Sequence, residues 1–446
     1  MRYTLAEVEK VVLGTLRGPG DLVVHRACFD SRSVEPGDLF FALKGQRDGV
    51  EFVGEALAMG AVAAVVPVYY RGSAKPVILV EDTLAALKHL AFFHRNRLKS
   101  TVIAITGTVG KTTTKAMVSG ILASRYTVSV SRASFNNHIG VPVSILQADH
   151  QDFLVLEIGT NHPGEIASLS GMARPHFACI TSVGYGHTEA LGDLKGVARE
   201  KASIIGAVAS NGKVFLPEQL PHFEEFQNLL NQRPDIKTLR FKAENIRLMK
   251  NWEGVEFTFR GSDFFVPVAN PGYAHDAACA LAISLEMGID PDAAREVLAG
   301  FQVQGMRMKL LRLRDITVLN DAYNSNPDSA MTLVGAIPEP ENTLLVMGDM
   351  LELGHEAVPQ HQKLGRAVKA RNFKKVIWVG PLSKHAAAIE GGQWFPDVHA
   401  AIPAIKQGLW SEATLVLKAS RLMGLEKIIE EIQGDQNGLS EVQSAV

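Results

Sequence analysis

Short apolar runs alternate with amphipathic stretches along most of this chain of 446 residues. The runs are rich in β-branched residues, whereas the stretches between them repeat apolar positions at the spacing of a helix. This alternation is typical of α/β units built around largely parallel sheets. Candidate strands are Leu22–Cys28, Leu39–Leu43, Ala61–Val66, Val77–Val80, Thr101–Thr106, Phe153–Leu156, Phe177–Thr181, Ile316–Leu319, Thr343–Met347, Lys375–Val379 and Thr414–Leu417.

Breaks in the pattern divide the chain into three blocks, because one hydrophobic core cannot serve a chain of this length. The first block, 1–99, ends with a predicted helix over Asp82–Arg97. The second, 100–307, changes to strict alternation within Ile246–Val268, which predicts a β-hairpin. The third, 308–446, returns to the α/β pattern and ends in a polar tail from Gln433. We therefore expect three α/β domains.

Composition narrows the class of protein. The chain is 46% apolar and 21% charged, and its net charge of −2 offers no bulk attraction to nucleic acid or anionic membranes. The N-terminus resembles a short helix rather than a signal peptide, and the longest apolar run, Gly60 to Val68, is too short to span a bilayer. Cys28, Cys179 and Cys279 are widely spaced, as reduced cytosolic thiols are. We expect a cytoplasmic monomer without nucleic-acid or membrane partners.

The strongest chemical signal is the segment Thr106–Thr114, which lies between an apolar strand and a predicted helix. Its glycines let backbone amides turn toward a phosphate at the helix N-terminus. Lys111 would then reach the β- and γ-phosphates, and the Thr112 hydroxyl would bind Mg²⁺. A further glycine is usual where this chain has Ile105, and a tight structural turn is the alternative. The candidate phosphate-binding residues are Gly107, Thr108, Val109, Gly110, Lys111, Thr112 and Thr113.

Polar side chains follow three further strands. Glu157 ends one strand, where a carboxylate beside a triphosphate suits a metal ligand, although a helix-capping acid is the alternative. His187 lies in a glycine-flanked loop, where a lone histidine is more often structural. The segment Asn320–Ser329 carries Asp, Tyr and Asn side chains into a loop, and turn or cap residues would explain the same composition. Because the carboxyl ends of parallel strands share one edge, these groups are expected near the phosphate loop.

Taken in order, these motifs resemble the Mur ligase family over nearly the whole chain. The resemblance rests on Asp30–Ser33, Pro36–Gly45, Asp48-Gly49, Thr106–Thr114, Phe135–Pro142, Glu157, His187, Asp321–Ser329, Gly348–Gly354 and Lys418–Arg421. It implies a small N-terminal α/β domain, 1–99, that binds the UDP-sugar. It also implies a central phosphate-loop ATPase-like domain with a parallel sheet, 100–307. A C-terminal Rossmann-like domain, 308–446, would bind nucleotide and the incoming dipeptide and would close about a hinge near Arg307–Leu313.

The resemblance also implies an activity. It is closest to the members that join D-alanyl-D-alanine to UDP-N-acetylmuramoyl-tripeptide through an acyl phosphate, with ATP converted to ADP and phosphate. An amide ligase acting on a different UDP-peptide or on a folate is one alternative. A catalytically silent homologue that serves as a scaffold for wall synthesis is another.

Site residues follow from the same resemblance. Catalysis would rest on Lys111, Glu157, His187 and Lys201, and two Mg²⁺ ions on Thr112, Glu157, His187 and a carbamate of Lys201. Beyond the phosphate loop, ATP would contact His275, Asp276, Arg307, Asp321, Tyr323 and Asn324. The other substrates would contact Ser31, Arg32, Lys44, Gly45, Asp48, Asn136, Asn137, Asn326, Ser420 and Arg421.

The assignment of Lys201 has a competing explanation. An ammonium group has no lone pair for a metal, whereas a carbamylated Lys201 would offer the hard oxygen that Mg²⁺ prefers. The alternative is a solvated helix lysine or an ion pair with Glu200.

Asp276 stands where the family commonly has Asn, and Val50 stands where it commonly has His. The contacts to the adenine base and to the uridine would therefore differ in this chain.

Overall fold

The computed structural model describes residues 1–434 apart from positions 133, 304 and 314. Three α/β units follow one another along the chain, each built around its own sheet, which confirms the expected fold class. Of the predicted polar tail, Gln433 and Gly434 end the last helix, and the rest lies outside the described residues. No helix in the described part of the chain is long and apolar enough to cross a lipid bilayer.

The N-terminal unit has a five-stranded sheet in the order β2-β7-β6-β5-β4, antiparallel only at β2. A separate antiparallel pair, β1 and β3, flanks it. The elements are β1 (Tyr3–Thr4), α1 (Leu5–Val12), β2 (Thr15–Arg17), β3 (Val23–Val24), β4 (Arg26–Cys28), β5 (Asp38–Phe41), α2 (Val53–Ala58), β6 (Ala63–Pro67), β7 (Val77–Val80) and α3 (Thr83–Arg95).

The central unit has a six-stranded, fully parallel sheet in the order β13-β12-β11-β8-β10-β9. Its strands and helices are β8 (Thr101–Thr106), α4 (Lys111–Ala123), β9 (Val128–Val130), α5 (Gly140–Gln147), β10 (Phe153–Glu157), α6 (Glu165–Ala173), β11 (Phe177–Ile180), α7 (Thr188–Leu191), α8 (Leu194–Ala202), β12 (Lys213–Pro217), α9 (Phe223–Asn231) and β13 (Lys237–Phe241). An antiparallel sheet then forms from β14 (Glu244–Leu248), β15 (Val255–Phe259) and β16 (Ser262–Val266), before α10 (Pro271–Glu286) and α11 (Pro291–Ala299). The last two strands are the predicted hairpin.

The C-terminal unit has a six-stranded sheet in the order β17-β18-β22-β19-β20-β21, in which only the edge strand β17 is antiparallel. Its elements are β17 (Lys309–Leu313), β18 (Ile316–Asp321), α12 (Pro327–Ala336), β19 (Thr343–Gly348), α13 (Ala357–Ala370), β20 (Lys375–Val379), α14 (Lys384–Glu390), β21 (Gln393–Phe395), α15 (Val398–Gly408), β22 (Thr414–Lys418) and α16 (Glu426–Gly434).

Apolar packing continues across both junctions between the units. Leu87 on α3 belongs to the same buried cluster as Val141 on α5, which ties the N-terminal unit to the central one. Ala277 on α10 shares another cluster with Leu333 on α12, which ties the central unit to the C-terminal one. The arrangement is therefore closed, with the central and C-terminal sheets facing a common cleft.

One expected strand is wrong, and the position of a hinge is narrowed. The run Leu22–Cys28 is two strands in different sheets, because β3 pairs with β1 whereas β4 pairs with β5, and the amide of His25 between them donates to Gly37 O at 2.9 Å. Within the expected hinge segment 307–313, Lys309–Leu313 pairs along its whole length with β18, which leaves Arg307 and Met308 outside the strand. Any hinge must lie before Lys309, where Gly305 and Met308 adopt positive φ angles of 68° and 49°.

The helices differ in whether a side chain caps their first turn. Side-chain oxygens of Asp82, Asp193, Asn270 and Asn326 cap α3, α8, α10 and α12 by accepting first-turn amides. In contrast, α4 begins after Gly110 with no side-chain cap. The amides of its first turn are thus free to bind a ligand.

Candidate active site

A cleft of about 730 Å³ lies between the central and C-terminal units. It opens at the carboxyl end of β8, where strand order reverses and open α/β sheets bind ligands. The predicted residues that line it are Thr108, Val109, Gly110, Lys111, Thr112, Thr113, Asn136, Glu157, His187, His275, Asp276, Arg307, Asp321, Tyr323, Asn324 and Asn326. Folding thus brings together groups that are far apart in sequence.

The loop from β8 to α4 needs glycine at two positions. Gly107 has φ +153°, and a Cβ there would overlap the Thr181 hydroxyl. Gly110 has φ +89°, and a Cβ there would overlap the Asp276 carboxylate. Because the loop is held this tightly between β11 and α10, its shape is fixed before any ligand arrives.

Lys111 folds back over this loop. Its Nζ donates to Gly107 O at 2.7 Å and to Thr108 O at 3.1 Å. Burial lowers the pKa of this ammonium, and the Glu157 carboxylate opposes the shift. A phosphate entering the loop would offer a stronger acceptor than either carbonyl.

The Glu157 carboxylate organises the floor of the cleft. It is 1% exposed, and its Oε2 accepts from Thr112 Oγ1 at 3.0 Å while its Oε1 accepts from Asn136 Nδ2 at 2.7 Å. Lys115 Nζ lies 3.3 Å from Oε2 and also donates to Ser131 O at 2.9 Å. Burial lowers the pKa of Lys115, opposed by the Glu157 carboxylate. One carboxylate thus joins β10, α4 and the loop that precedes α5.

This arrangement fits one hard cation. Thr112 and Glu157 place two oxygens 3.0 Å apart, which is the chemistry that Mg²⁺ prefers, and their hydrogen bond marks where the ion would enter. A second ion finds no ready-made cage, since no cluster of three or more His, Cys, Asp or Glu side chains within the described residues could hold a metal.

Cationic and aromatic groups cover the cleft from its C-terminal side. The Arg307 guanidinium stacks 3.7 Å from the centre of the Tyr323 ring, and its Nη2 lies 3.4 Å from Thr112 Oγ1. The Tyr323 hydroxyl is 2.8 Å from Ser134 Oγ of the central unit. These contacts cross the junction between the units and place positive charge beside the phosphate loop.

Asp321 and Lys418 form a buried pair at the ends of neighbouring strands. Lys418 Nζ lies 2.7 Å from Asp321 Oδ2 and donates to Asn324 O at 3.1 Å. Asp321 Oδ1 accepts the Met308 amide at 3.0 Å, so the pair also fixes the chain just after Arg307. The loop that delivers Tyr323 and Asn324 is therefore rigid.

His187 lies on the opposite wall of the cleft, with φ +58° at the start of α7. Its Nδ1 is 2.7 Å from Glu352 Oε2 of the C-terminal unit. The histidine lowers the pKa of that carboxyl. A histidine bound to a carboxylate through one ring nitrogen is oriented to ligate a metal through the other.

Lys201 is not a solvated helix lysine. Its side chain is among the most deeply buried in the protein, and no hydrogen bond or ion pair of Lys201 is found within the described residues. The neighbouring Glu200 carboxylate is already occupied by the amides of Gly164, at 2.7 Å, and Ile166, at 2.8 Å. Burial and the charge of Lys111 hold the pKa of Lys201 well below its usual range.

Asp276 lies against the phosphate loop. Its carboxylate contacts the backbone of Gly110 so closely that no side chain fits there. Burial raises the pKa of Asp276 to about 7. His275 precedes it on α10 and is exposed at the cleft wall.

The predicted sugar-binding residues lie in the N-terminal unit, outside this cleft. Ser31 donates to Glu55 at 3.0 Å, Arg32 is 84% exposed, and Asp48 accepts from the Tyr69 hydroxyl at 2.9 Å. Lys44 and Gly45 are exposed beside Asp48. They follow the carboxyl ends of the neighbouring strands β4 and β5, which places them at one edge of that sheet.

Three further predicted residues lie apart from the cleft lining. Asn137 is exposed, and its Oδ1 accepts the Gly140 amide at 2.9 Å at the start of α5. Ser420 Oγ accepts the Leu351 amide at 2.9 Å. Arg421 is paired with Glu426 at 3.0 Å.

Sequence reasoning missed Lys115 and Ser134, and it gave no role to Lys418 and Glu352, although both lie in segments that carry the family resemblance. Lys418 ends a buried strand, and that position alone could have identified it, as it did for Glu157. Lys115 lies one turn after Lys111 on α4, facing inward. The contacts of Ser134 and Glu352 cross between units, so no local pattern shows them.

Comparisons with known proteins agree with this geometry. A family model described as the Mur ligase middle domain matches residues 105–282, and one described as the Mur ligase, glutamate ligase domain matches residues 306–421. The UDP-N-acetylmuramoyl-tripeptide–D-alanyl-D-alanine ligase of Bacillus subtilis is 32% identical over 97% of this chain and 98% of its own. The Escherichia coli enzyme of that name is also 32% identical, over 98% and 99%.

A solved structure gives the same result. The crystal structure of MurF from Acinetobacter baumannii superposes with a TM-score of 0.88 at 26% identity, covering 97% of this chain and 99% of that one. Both family models fall on the two units that form the cleft, and the curated relatives align over nearly the full length. The chain belongs to the Mur ligase family.

Proposed function

We propose that this protein is an ATP-dependent ligase that joins D-alanyl-D-alanine to UDP-N-acetylmuramoyl-tripeptide. The observation that carries the proposal is the cleft itself. It combines an uncapped helix start behind a glycine loop, a Thr112–Glu157 oxygen pair for Mg²⁺, and the Arg307 guanidinium stacked on Tyr323 of the opposite unit. A triphosphate and a carboxylate repel each other, so a site that brings them together must supply positive charge, as this cleft does.

The identity of the substrates is supported by the relatives, whose printed names specify a UDP-N-acetylmuramoyl-tripeptide and D-alanyl-D-alanine. We propose that 1–99 binds the UDP-sugar through Ser31, Arg32, Lys44, Gly45 and Asp48, that 100–307 binds ATP, and that 308–446 covers the nucleotide and receives the dipeptide. Sheet membership supports these boundaries, since no sheet among the described residues spans either one. Ser420 and Arg421 are proposed to reach the peptide, with Asn136, Asn137 and Asn326 beside it.

In the first step an oxygen of the tripeptide carboxylate forms a bond to the γ-phosphorus of ATP, and the bond to the β-phosphate oxygen breaks. The products are an acyl phosphate and ADP. First-turn amides of α4 and the Lys111 ammonium bind the phosphates, and Arg307 adds positive charge at Thr112. Mg²⁺ bound by Thr112 and Glu157 would offset charge on the phosphate oxygens.

In the second step the dipeptide amine attacks the acyl carbon, loses a proton, and expels phosphate. The chain contributes closure and orientation here. Tyr323 and Ser134 hold the units together over the nucleotide, and the Lys418–Asp321 pair keeps the Asn324 loop in place. Closure also keeps water away from the acyl phosphate, which would otherwise hydrolyse.

Lys201 is proposed to be carbamylated by CO₂ and to serve as the missing ligand of a second Mg²⁺ with His187. Only a neutral amine reacts with CO₂, and burial beside Lys111 lowers the pKa of this one, which favours the neutral form. The nitrogen bonds to the CO₂ carbon and releases its proton, which leaves a carbamate anion. The product replaces an unpaired amine with a hard oxygen ligand near the cations of the cleft.

The ligase activity itself gives the first prediction. Phosphate release from ATP should require both UDP-N-acetylmuramoyl-tripeptide and D-alanyl-D-alanine, with the UDP-pentapeptide as product by mass spectrometry. Lys111→Ala should lower turnover more than about 100-fold by removing charge at the γ-phosphate, with an unchanged thermal unfolding transition. Full turnover with a different amino acid in place of the dipeptide would point to another member of the family instead.

The second prediction concerns Lys201. Lys201→Ala should lose about 10- to 100-fold in activity, the usual effect of removing support from a metal site, and millimolar formate should restore part of it. Protein equilibrated with ¹³C-bicarbonate should show a carbamate resonance that the variant lacks. The control is Lys195→Ala on the same helix, whose side chain is 48% exposed. Unchanged activity of Lys201→Ala without formate would rule out the role.

The third prediction follows from Asp276. Its pKa of about 7 means that the carboxyl is neutral below that pH and ionised above it. Ionisation adds negative charge against the phosphate loop, so affinity for a non-hydrolysable ATP analogue should fall about five- to ten-fold as pH rises through 7, the effect of roughly 1 kcal/mol of repulsion. Calorimetry on Asp276→Asn should give a flatter profile, whereas the exposed Asp263→Asn should match the wild type. Equal slopes in both variants would exclude Asp276.

A further inference from the structure

The cleft differs in chemistry on the two sides of the phosphate loop. In the central sheet, β10 and β9 lie on one side of β8, whereas β11, β12 and β13 lie on the other. The side at β10 is polar and is lined by Glu157, Asn136 and Asn161. The other side, here named the β12–β13 side, is lined by the loops after those two strands, which contribute Pro217, Gln219, Phe241 and Ala243. No step of the proposed ligation uses the β12–β13 side.

The wall of the β12–β13 side is apolar and firmly held. Pro217 and Phe241 are partners in the parallel pairing of β12 with β13, and the Glu218 amide donates to Phe241 O at 2.9 Å where the strands end. Phe241 and Ala243 are 4% and 5% exposed and belong to the same buried cluster as Tyr273 on α10. An apolar wall of this kind suits a heteroaromatic ring, which is bound mainly through its carbon-rich faces.

Strand order also places this wall at a suitable distance from the phosphate loop. The loop follows β8, and β12 and β13 are two and three strands away from it. At ~4.8 Å per strand, the separation is roughly 10 to 14 Å, so a nucleoside can extend from phosphates at the loop to the wall. The opposite side presents the Glu157 carboxylate and amide groups, which suit a charged peptide and a cation rather than an apolar ring.

Gln219 is the polar side chain that can contact the edge of a ring bound there. It is exposed in the loop after β12, and its carboxamide makes no hydrogen bond to any residue that the structure describes. The neighbouring Glu218 and Lys242 are occupied with each other, 3.6 Å apart. Asp276, the base contact expected from the sequence, has its carboxylate against Gly110 in the phosphate loop instead.

We propose that the adenine of ATP binds on the β12–β13 side, against Pro217 and Phe241, and that Gln219 selects adenine over guanine. The inference rests on the proposed function, in which the phosphates bind the loop after β8. A carboxamide offers both a donor and an acceptor, which matches the amino group and ring nitrogen of adenine. Guanine has a carbonyl oxygen in place of that amino group, so the same carboxamide does not match its edge.

Equilibrium binding separates the contribution of the base from that of the phosphates. By calorimetry, the wild type should bind ADP more tightly than GDP or inorganic tripolyphosphate. Gln219→Ala should bind ADP about ten-fold more weakly and leave the other two affinities unchanged, because only a contact to adenine is removed. The control is Gln227→Ala, at an exposed glutamine of α9 that pairs with Asn231. Unchanged ADP affinity in Gln219→Ala, or an equal loss for ADP and GDP, would overturn the selective role of Gln219.

The position of the base can be mapped independently by photo-crosslinking. Protein irradiated with 8-azido-ADP and digested should carry the label in peptides that contain 217–221 or 241–243, and excess ADP should prevent the labelling. Label confined to other segments, or no labelling that ADP prevents, would overturn the placement of adenine. If the wild type binds neither ADP nor tripolyphosphate, the phosphate site fails, and the proposed function fails with it.

Discussion

The structure of the cleft depends on one buried carboxylate, that of Glu157. It is taken out of water at the end of a parallel strand, and such a charge is tolerated only where positive charge and hydrogen bonds surround it. Thr112 and Lys115 on α4 supply these, together with Asn136 in the loop before α5. The helix behind the phosphate loop, the loop before α5 and the strand β10 are thus held in one geometry. Removing Glu157 would take away the carboxylate that lies 3.3 Å from the buried Lys115 ammonium.

Around this carboxylate the cleft collects positive charge that the net charge of the chain conceals. The Glu157 carboxylate acts on both Lys111 and Lys115, Arg307 lies near these two lysines, and the charge of Lys111 also reaches the buried Lys201. Burial lowers the pKa of Lys111, Lys115 and Lys201. The phosphates of ATP and a peptide carboxylate would offset the positive charge of these groups. The same field favours conversion of Lys201 from a cation into an anion.

The sequence was sufficient to predict those functional residues that lie within a local structural pattern. The strand, glycine loop and helix of 101–123 and the carboxylate at the end of β10 follow from periodicity and the rule that parallel sheets bind ligands at their carboxyl ends. It failed where the answer depends on packing between distant segments. The helical pattern alone makes Lys201 look like a surface residue; the family resemblance suggested a metal ligand instead, and the packed structure shows that the side chain is buried. The pairs His187–Glu352 and Ser134–Tyr323 join separate units, so no window of sequence contains them. The strand expected at 22–28 is two strands that pair with different partners, and the His25 amide between them donates to Gly37 O in the loop before β5.

The central claim is that a carboxylate is activated by phosphoryl transfer within this cleft. Oxygen transfer tests it most directly, with UDP-tripeptide labelled with ¹⁸O in the carboxylate that becomes the amide. Phosphate released during ligation should carry one atom of ¹⁸O, because the acyl phosphate gives its bridging oxygen to the phosphate when the amine attacks. Phosphate without the label, formed at the same rate as the amide, would contradict this account.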